Sequence, residues 1–196
     1  PEIIIHREKQ TKQIANILAP VLKGDKPTNI FIYGKTGTGK TLTTKYTTQK
    51  LLEVAKSKNT PLKIVYTNCK LKRSADTEYR LIAQLATELG KSIPPTGLPT
   101  EEVYKIFIKT LNKQKQNYVF ILDEIDQLVN KTGDNALYNL TRINEEVAQS
   151  QISIIGISNN IMLVDGLDPR VRSSLSEEEI IFPPYNALQI QAILKQ

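Results

Sequence analysis

Residues 29–41, NIFIYGKTGTGKT, constrain the fold of this chain more than any other segment. Ile30 to Tyr33 form an unbroken apolar run, which reads as a strand buried on both faces rather than a half-exposed one. The run ends on Gly34-Lys35-Thr36-Gly37-Thr38-Gly39-Lys40-Thr41, a match to G-x-x-x-x-G-K-[ST] placed between a strand and a helix. Glycines let the backbone turn its N–H groups toward an anion, and the start of a helix adds the positive end of its dipole. The loop therefore implies a site for nucleotide phosphates, bordered by Leu42. Lys40 would reach the β- and γ-phosphates and the Thr41 hydroxyl would ligate magnesium. A strand of this kind needs helices above and below it.

The rest of the pattern supplies them. Helical spacing runs from Gly39 to about Lys56, from about Asp76 to Leu89, from Thr100 onward with Thr100 as N-cap, and from about Asn135 to Ser150. Apolar runs at 63–67, 118–122 and 152–157, with a shorter one at 179–182, read as further strands. Strands alternating with helices predict an α/β three-layer sandwich on a central five-stranded parallel sheet. Pro183-Pro184 is the one break that looks like a domain boundary. Residues 1–182 are thus expected as a base domain, and 183–196 as the truncated start of a helical lid. Pro1 in place of an initiator methionine points to a processed or trimmed chain.

Two strand ends carry chemistry. Residues 118–122 lead into Asp123-Glu124, which places two carboxylates beside the glycine-rich loop. Asp123 suits the magnesium shell, since that ion takes carboxylate oxygens and keeps water. Glu124 suits the general base that polarises an attacking water. Asp126 reads as a structural or solvated carboxylate. After the 152–157 run, Asn159 can bridge a γ-phosphate and the water, although asparagine is equally at home in turns.

Composition narrows the partners. Lys and Arg number 26 against 20 Asp and Glu, a net charge of +6, which permits an anionic partner. Lys56, Lys58, Lys63, Lys70, Lys72 and Arg73 follow one another with no acidic residue between them, either as a solvated basic face or as a phosphate-contacting one. Cys69 is the only cysteine, so no intrachain disulfide forms; it reads as a small buried hydrophobe in a reducing, intracellular compartment. No apolar run approaches bilayer length and no signal-peptide pattern opens the chain.

Taken together, these elements resemble the AAA+ ATPases, a P-loop NTPase family. PEIIIHRE (1–8), Asn68-Cys69, PPTGLP (94–99), LDEID (122–126), IIGISNN (154–160) and LDPRVRSSL (167–175) narrow the resemblance to the archaeal origin-recognition and cell-division-cycle replication initiators. It covers nearly the whole chain. It implies ATP/ADP and Mg2+ as ligands, Asn159 as the γ-phosphate sensor, Asn68 as the polar partner restraining Glu124, and His6 and Arg7 at the adenine pocket. A helix-rich insertion at about 70–93 would touch duplex DNA through Lys70, Lys72 or Arg73.

A neighbour's arginine completes the site in many relatives. Ser174 stands where several of them carry it, leaving Arg170 or Arg172 as possible substitutes and implying slow turnover. The implied role is a slowly hydrolysing, nucleotide-switched initiator, cytoplasmic and nucleoid-associated, with origin DNA, related initiator subunits and the replicative helicase as partners and no membrane. Two other readings stay open. One is a clamp-loader subunit, whose usual serine-arginine-cysteine box Arg172-Ser173-Ser174 does not reproduce. The other is a signalling ATPase without DNA.

Overall fold

A computed structural model describes residues 4–70, 77–94, 96–175 and 177–195. Five strands, β1 (Ile30–Tyr33), β2 (Leu62–Asn68), β3 (Asn117–Asp123), β4 (Gln151–Ser158) and β5 (Glu178–Ile181), form one sheet in the order β2-β3-β4-β1-β5. Every pairing is parallel, as continuous apolar runs separated by helices require. The helices are α1 (Glu8–Leu18), α2 (Lys40–Ser57), α3 (Glu78–Glu88), α4 (Thr100–Leu111), α5 (Ile125–Thr132), α6 (Asn135–Arg142), α7 (Pro169–Leu175) and α8 (Ala187–Leu194).

Alternation along the strands divides the core into two. Val119 and Ile121 of β3 join Ile30, Ile32, Ile155 and Ile157 under α1 and α2. Phe120 and Leu122 point the other way, with Phe31 and Ile154, and are covered by residues of α3 to α7. Phe31, Phe107 and Phe120 are wholly buried, each contributing roughly 1.5–3 kcal/mol relative to an exposed side chain. This is the α/β three-layer sandwich with five parallel strands that the sequence predicts.

Register then positions the site. Asn68 pairs with Asp123, Asp123 with Ile157, and Tyr33 with Ser158. The C-terminal ends of β1 to β4 therefore lie side by side, and the segments that follow them open on one edge of the sheet. Ligands of open parallel sheets bind at that edge.

Local differences from the sequence reading have physical causes. Thr100 is the first residue of α4 and not its cap; Pro99 holds the cap position in an extended conformation, without a side-chain bond. The helix expected to reach Ser150 ends at Arg142 and runs on only as a 3-10 turn to Glu145. Asn144 exchanges two hydrogen bonds of 2.8 Å with the backbone of Ile152, and Asn112 accepts from the N–H groups of Ala148 and Gln149. These tertiary bonds take the chain out of the helix. Helices α1, α5 and α7 lie where none was expected. Within the expected insertion, Leu81, Ile82 and Leu85 of α3 are fully buried, so this helix belongs to the core. Lys72 and Arg73 lie outside the described residues, among which no helix is long and apolar enough to cross a membrane.

Candidate functional site

The glycine-rich loop leaves β1 under the chain that follows β5. A Cβ at Gly34 would stand 2.3 Å from the backbone oxygen of Phe182, so only glycine allows that approach. At Gly37, with φ near +80°, a Cβ would meet nothing within 4 Å; the loop there faces open space. Lys40 begins α2 and is nearly buried. Its ammonium donates to the carbonyls of Gly34 at 2.8 Å and Lys35 at 2.9 Å and to Asn159 Oδ1 at 2.8 Å. Burial pulls its pKa below the ordinary lysine value, while the carboxylates of Asp123, Asp126 and Glu124 act against that shift.

Across the loop, Asp123 Oδ2 accepts from the Thr41 hydroxyl and from the Tyr66 hydroxyl, both at 2.8 Å. Tyr66 was not singled out in the sequence; burial first, then the Asp123 carboxylate beside it, pushes its pKa up to about 12. Glu124 caps α5 in the left-handed region, with φ near +54°. Such backbone costs about 1–3 kcal/mol and recurs at functional sites, because it aims a side chain. The Glu124 carboxylate lies 3.5 Å from the Asn68 amide nitrogen and 3.5 Å from the Lys70 ammonium. Lys70, proposed from charge as a DNA contact, is thus brought to the carboxylate proposed as general base.

Asp126 is buried and proves to be an organiser of this edge. Its Oδ1 accepts from the Ser158 hydroxyl at 3.0 Å and the Asn159 N–H at 3.2 Å. It therefore fixes the backbone of Asn159, whose side chain meets Lys40. The expectation of a structural carboxylate fits this geometry, and that of a solvated one does not.

Other expected site residues are dispersed. Arg7 is buried, donating to the Thr38 carbonyl at 2.9 Å and the Pro183 carbonyl at 2.6 Å, with its guanidinium 3.9 Å from the Tyr185 ring centre. It clamps the N-terminal segment, the loop and the chain after β5 to one another. His6, at φ near +62°, has a buried Nε2 with no hydrogen-bond partner. Arg170 makes two side-chain bonds to Asp168, at 3.0 and 2.9 Å, and stacks on Tyr138. Arg172 has the looser tie, 3.3 Å to Asp165, with both side chains about half exposed. Helix α8 buries none of its residues.

Thr36 to Leu42, Asp123, Glu124 and Asn159 line one cavity of about 330 Å3. Its donor set fits phosphates and a hard cation: backbone with room at Gly37, the Lys40 ammonium, the Thr41 hydroxyl and the carboxylates of Asp123 and Glu124. Among the described residues no three His, Cys, Asp or Glu side chains cluster to hold a metal by themselves. Magnesium does not require that, since it keeps waters and takes substrate phosphate oxygens beside one or two carboxylates.

The AAA domain family matches residues 24–160. ORC1-type DNA replication protein 1 of Sulfurisphaera tokodaii is 53% identical over 196 residues, 100% of this chain and 48% of that protein. The ORC1-type DNA replication protein of Pyrococcus abyssi is 47% identical over 200 residues, 100% of this chain and 47% of that protein. The chain thus spans about half the length of the curated relatives it matches. A solved structure of the Aeropyrum pernix ORC1 protein in complex with DNA superposes with a TM-score of 0.92 at 40% identity, covering 100% of this chain and 50% of that one. The Aeropyrum pernix ORC2 protein, with 22% identity, a TM-score of 0.83 and coverage of 100% and 52%, shares the fold. A match over residues 24–160, joined to likeness along the whole chain, makes this chain a member of the AAA domain family, in its ORC1-type branch.

Proposed function

We propose that this chain is the nucleotide-switched part of a DNA replication initiator. It binds ATP with magnesium, hydrolyses it slowly to ADP, and through the bound nucleotide sets how the whole protein engages duplex origin DNA and its partner subunits. The observation that carries this reading is the convergence of Lys40, Thr41, Asp123, Glu124 and Asn159 on one cavity at the sheet edge. Likeness to ORC1-type replication proteins along the full chain favours an initiator over a clamp-loader subunit or a signalling ATPase. The DNA in the Aeropyrum pernix ORC1 complex supports the choice of partner. Recruitment of the replicative helicase and residence with the chromosome in the cytoplasm follow from that role.

Each residue has a task. The loop N–H groups and Lys40 bind the phosphates, and Thr41 and Asp123 hold the magnesium ion. When bound, that ion neutralises phosphate charge that would otherwise repel a nucleophile. Glu124 accepts the proton of the attacking water, and Asn159, fixed by Asp126, orients the γ-phosphate. His6, with its unpaired Nε2, and Arg7 belong to the adenine side, and residues 183–196 to the start of a lid. Slow turnover suits a Glu124 carboxylate shared with Asn68 and Lys70, and an Arg170 held by Asp168 and an Arg172 tied to Asp165, the two arginines that could serve a neighbouring subunit.

Glu124→Gln tests the assignment. ATP binding is expected to stay near the parent value while hydrolysis falls at least about a hundredfold, the usual scale for removing a general base. Loss of binding would overturn the role given to Glu124. For the DNA arm, replacing Lys70, Lys72 and Arg73 with Ala is expected to weaken duplex binding and to lower the salt slope by about one unit per lost phosphate contact. An unchanged affinity and slope would remove this segment from the interface.

A further inference from the structure

We infer that Tyr66 is a positioning residue for magnesium, holding the Asp123 carboxylate in the orientation the ion requires. This rests on Asp123 as the magnesium-holding carboxylate proposed above. In the sheet, Tyr66 pairs with Ile121 and Asn68 with Asp123. Side chains alternate along a strand, so Tyr66, Asn68, Ile121 and Asp123 share one face. Asp123 is the diagonal neighbour of Tyr66, a separation that an aromatic side chain spans. The Tyr66 hydroxyl reaches Asp123 Oδ2 at 2.8 Å.

A carboxylate offers about four lone-pair sites. At Asp123 three of them have donors: the Thr41 hydroxyl and the Tyr66 hydroxyl at Oδ2, and the Glu124 N–H at Oδ1 at 3.0 Å. The Thr41 hydroxyl is itself needed by the ion, and the Glu124 N–H adjoins Asp123 in the chain and imposes little on it. Tyr66 is therefore the independent anchor of that side chain. Its own ring carries a further contact, with the Lys45 ammonium 3.4 Å from the ring centre. A partly buried tyrosine hydroxyl also favours some acceptor for its own sake, and the test must separate that role from positioning.

Tyr66→Phe removes one oxygen and keeps the ring, its packing and its stack with Lys45. The readout is the affinity for a fluorescent ATP analogue as Mg2+ is titrated, without any need for turnover. Outer partners of metal ligands commonly contribute about 10–100-fold to metal affinity. The Mg2+ concentration at half-effect is expected to rise at least about tenfold in Y66F, with nucleotide affinity in EDTA unchanged. That unchanged affinity also establishes that the variant is folded. A half-effect concentration equal to that of the parent would overturn the inference, leaving Tyr66 only a satisfied, partly buried hydroxyl. Equal losses with and without Mg2+ would overturn it as well. If the parent itself shows no Mg2+ dependence, the reading of Asp123 fails instead.

Discussion

Replacing Asp126 with Ala should loosen the site from behind. Asp126 is 6% exposed and accepts from the Ser158 hydroxyl, the Asn159 N–H and the Gln127 side-chain amide. The Ser158 hydroxyl has a second acceptor in the Asn160 carbonyl at 3.1 Å, so it is not orphaned. Among the described residues the Asn159 N–H has no such substitute. Hydrogen bonds to a charged group contribute about 1.5–3 kcal/mol each, and a buried group left unpaired costs about 1–3 kcal/mol. Counting one lost bond and its orphaned donor once, Asp126→Ala should destabilise the chain by about 2–3 kcal/mol. For a chain of this size that is a melting-temperature drop of roughly 4–12 °C. Asp126→Asn keeps the shape and one acceptor oxygen and should lose less than Ala. Thermal and urea unfolding read both values. An Asp126→Ala chain within about 0.5 kcal/mol of the parent, the ordinary surface-substitution range, would refute the claim that Asp126 organises the strand end carrying Asn159.

Other expectations follow from single contacts. Gly34→Ala places a Cβ 2.3 Å from the Phe182 carbonyl oxygen, backbone against backbone, and should destabilise by at least about 1–3 kcal/mol in urea unfolding; a neutral effect would mean that the chain after β5 does not lie on the loop. The Arg170 guanidinium and N–H hold the Asp168 carboxyl at a pKa of about 2, below its ordinary 3.8. Because the folded pKa is depressed, this stabilisation is fully present above the unfolded value and is lost as pH falls through about 2. A carboxyl-carbon NMR titration should find that midpoint, and Arg170→Ala should return it toward 3.8; a midpoint already near the ordinary value would show that Arg170 is not tied to Asp168.

The parts legible in the sequence are those that local chemistry decides. Glycine spacing in Gly34–Thr41 and the apolar runs of β1 to β4 need no knowledge of distant residues, because their backbone state follows from composition and period. The pairing of Asp123 with the loop was legible for the same reason, since parallel strands end at one edge. Tyr66 was not, because which strand residue lies diagonal to Asp123 depends on the β2–β3 register. Asp126 carries the same lesson: Ser158, the last residue of β4, and Asn159 after it lie 32 and 33 residues away. Helices α5 and α7 were missed because eight and seven residues give too few turns for a periodic signal. The early end of α6 reflects Asn144 and Asn112, whose bonds exist only once the core has assembled.

The central claim, that Gly34–Thr41 holds a nucleotide, is tested most directly by melting the parent and Lys40→Ala chains with and without Mg2+ and ATP. A ligand at a hundredfold excess over its Kd stabilises the folded state by about 2.7 kcal/mol. The account predicts a rise of roughly 5–11 °C for the parent, and little or none for Lys40→Ala at the same ATP concentration. A Lys40→Ala chain that melts normally without ligand yet gains as much from ATP as the parent would contradict it, as would a parent chain that gains nothing.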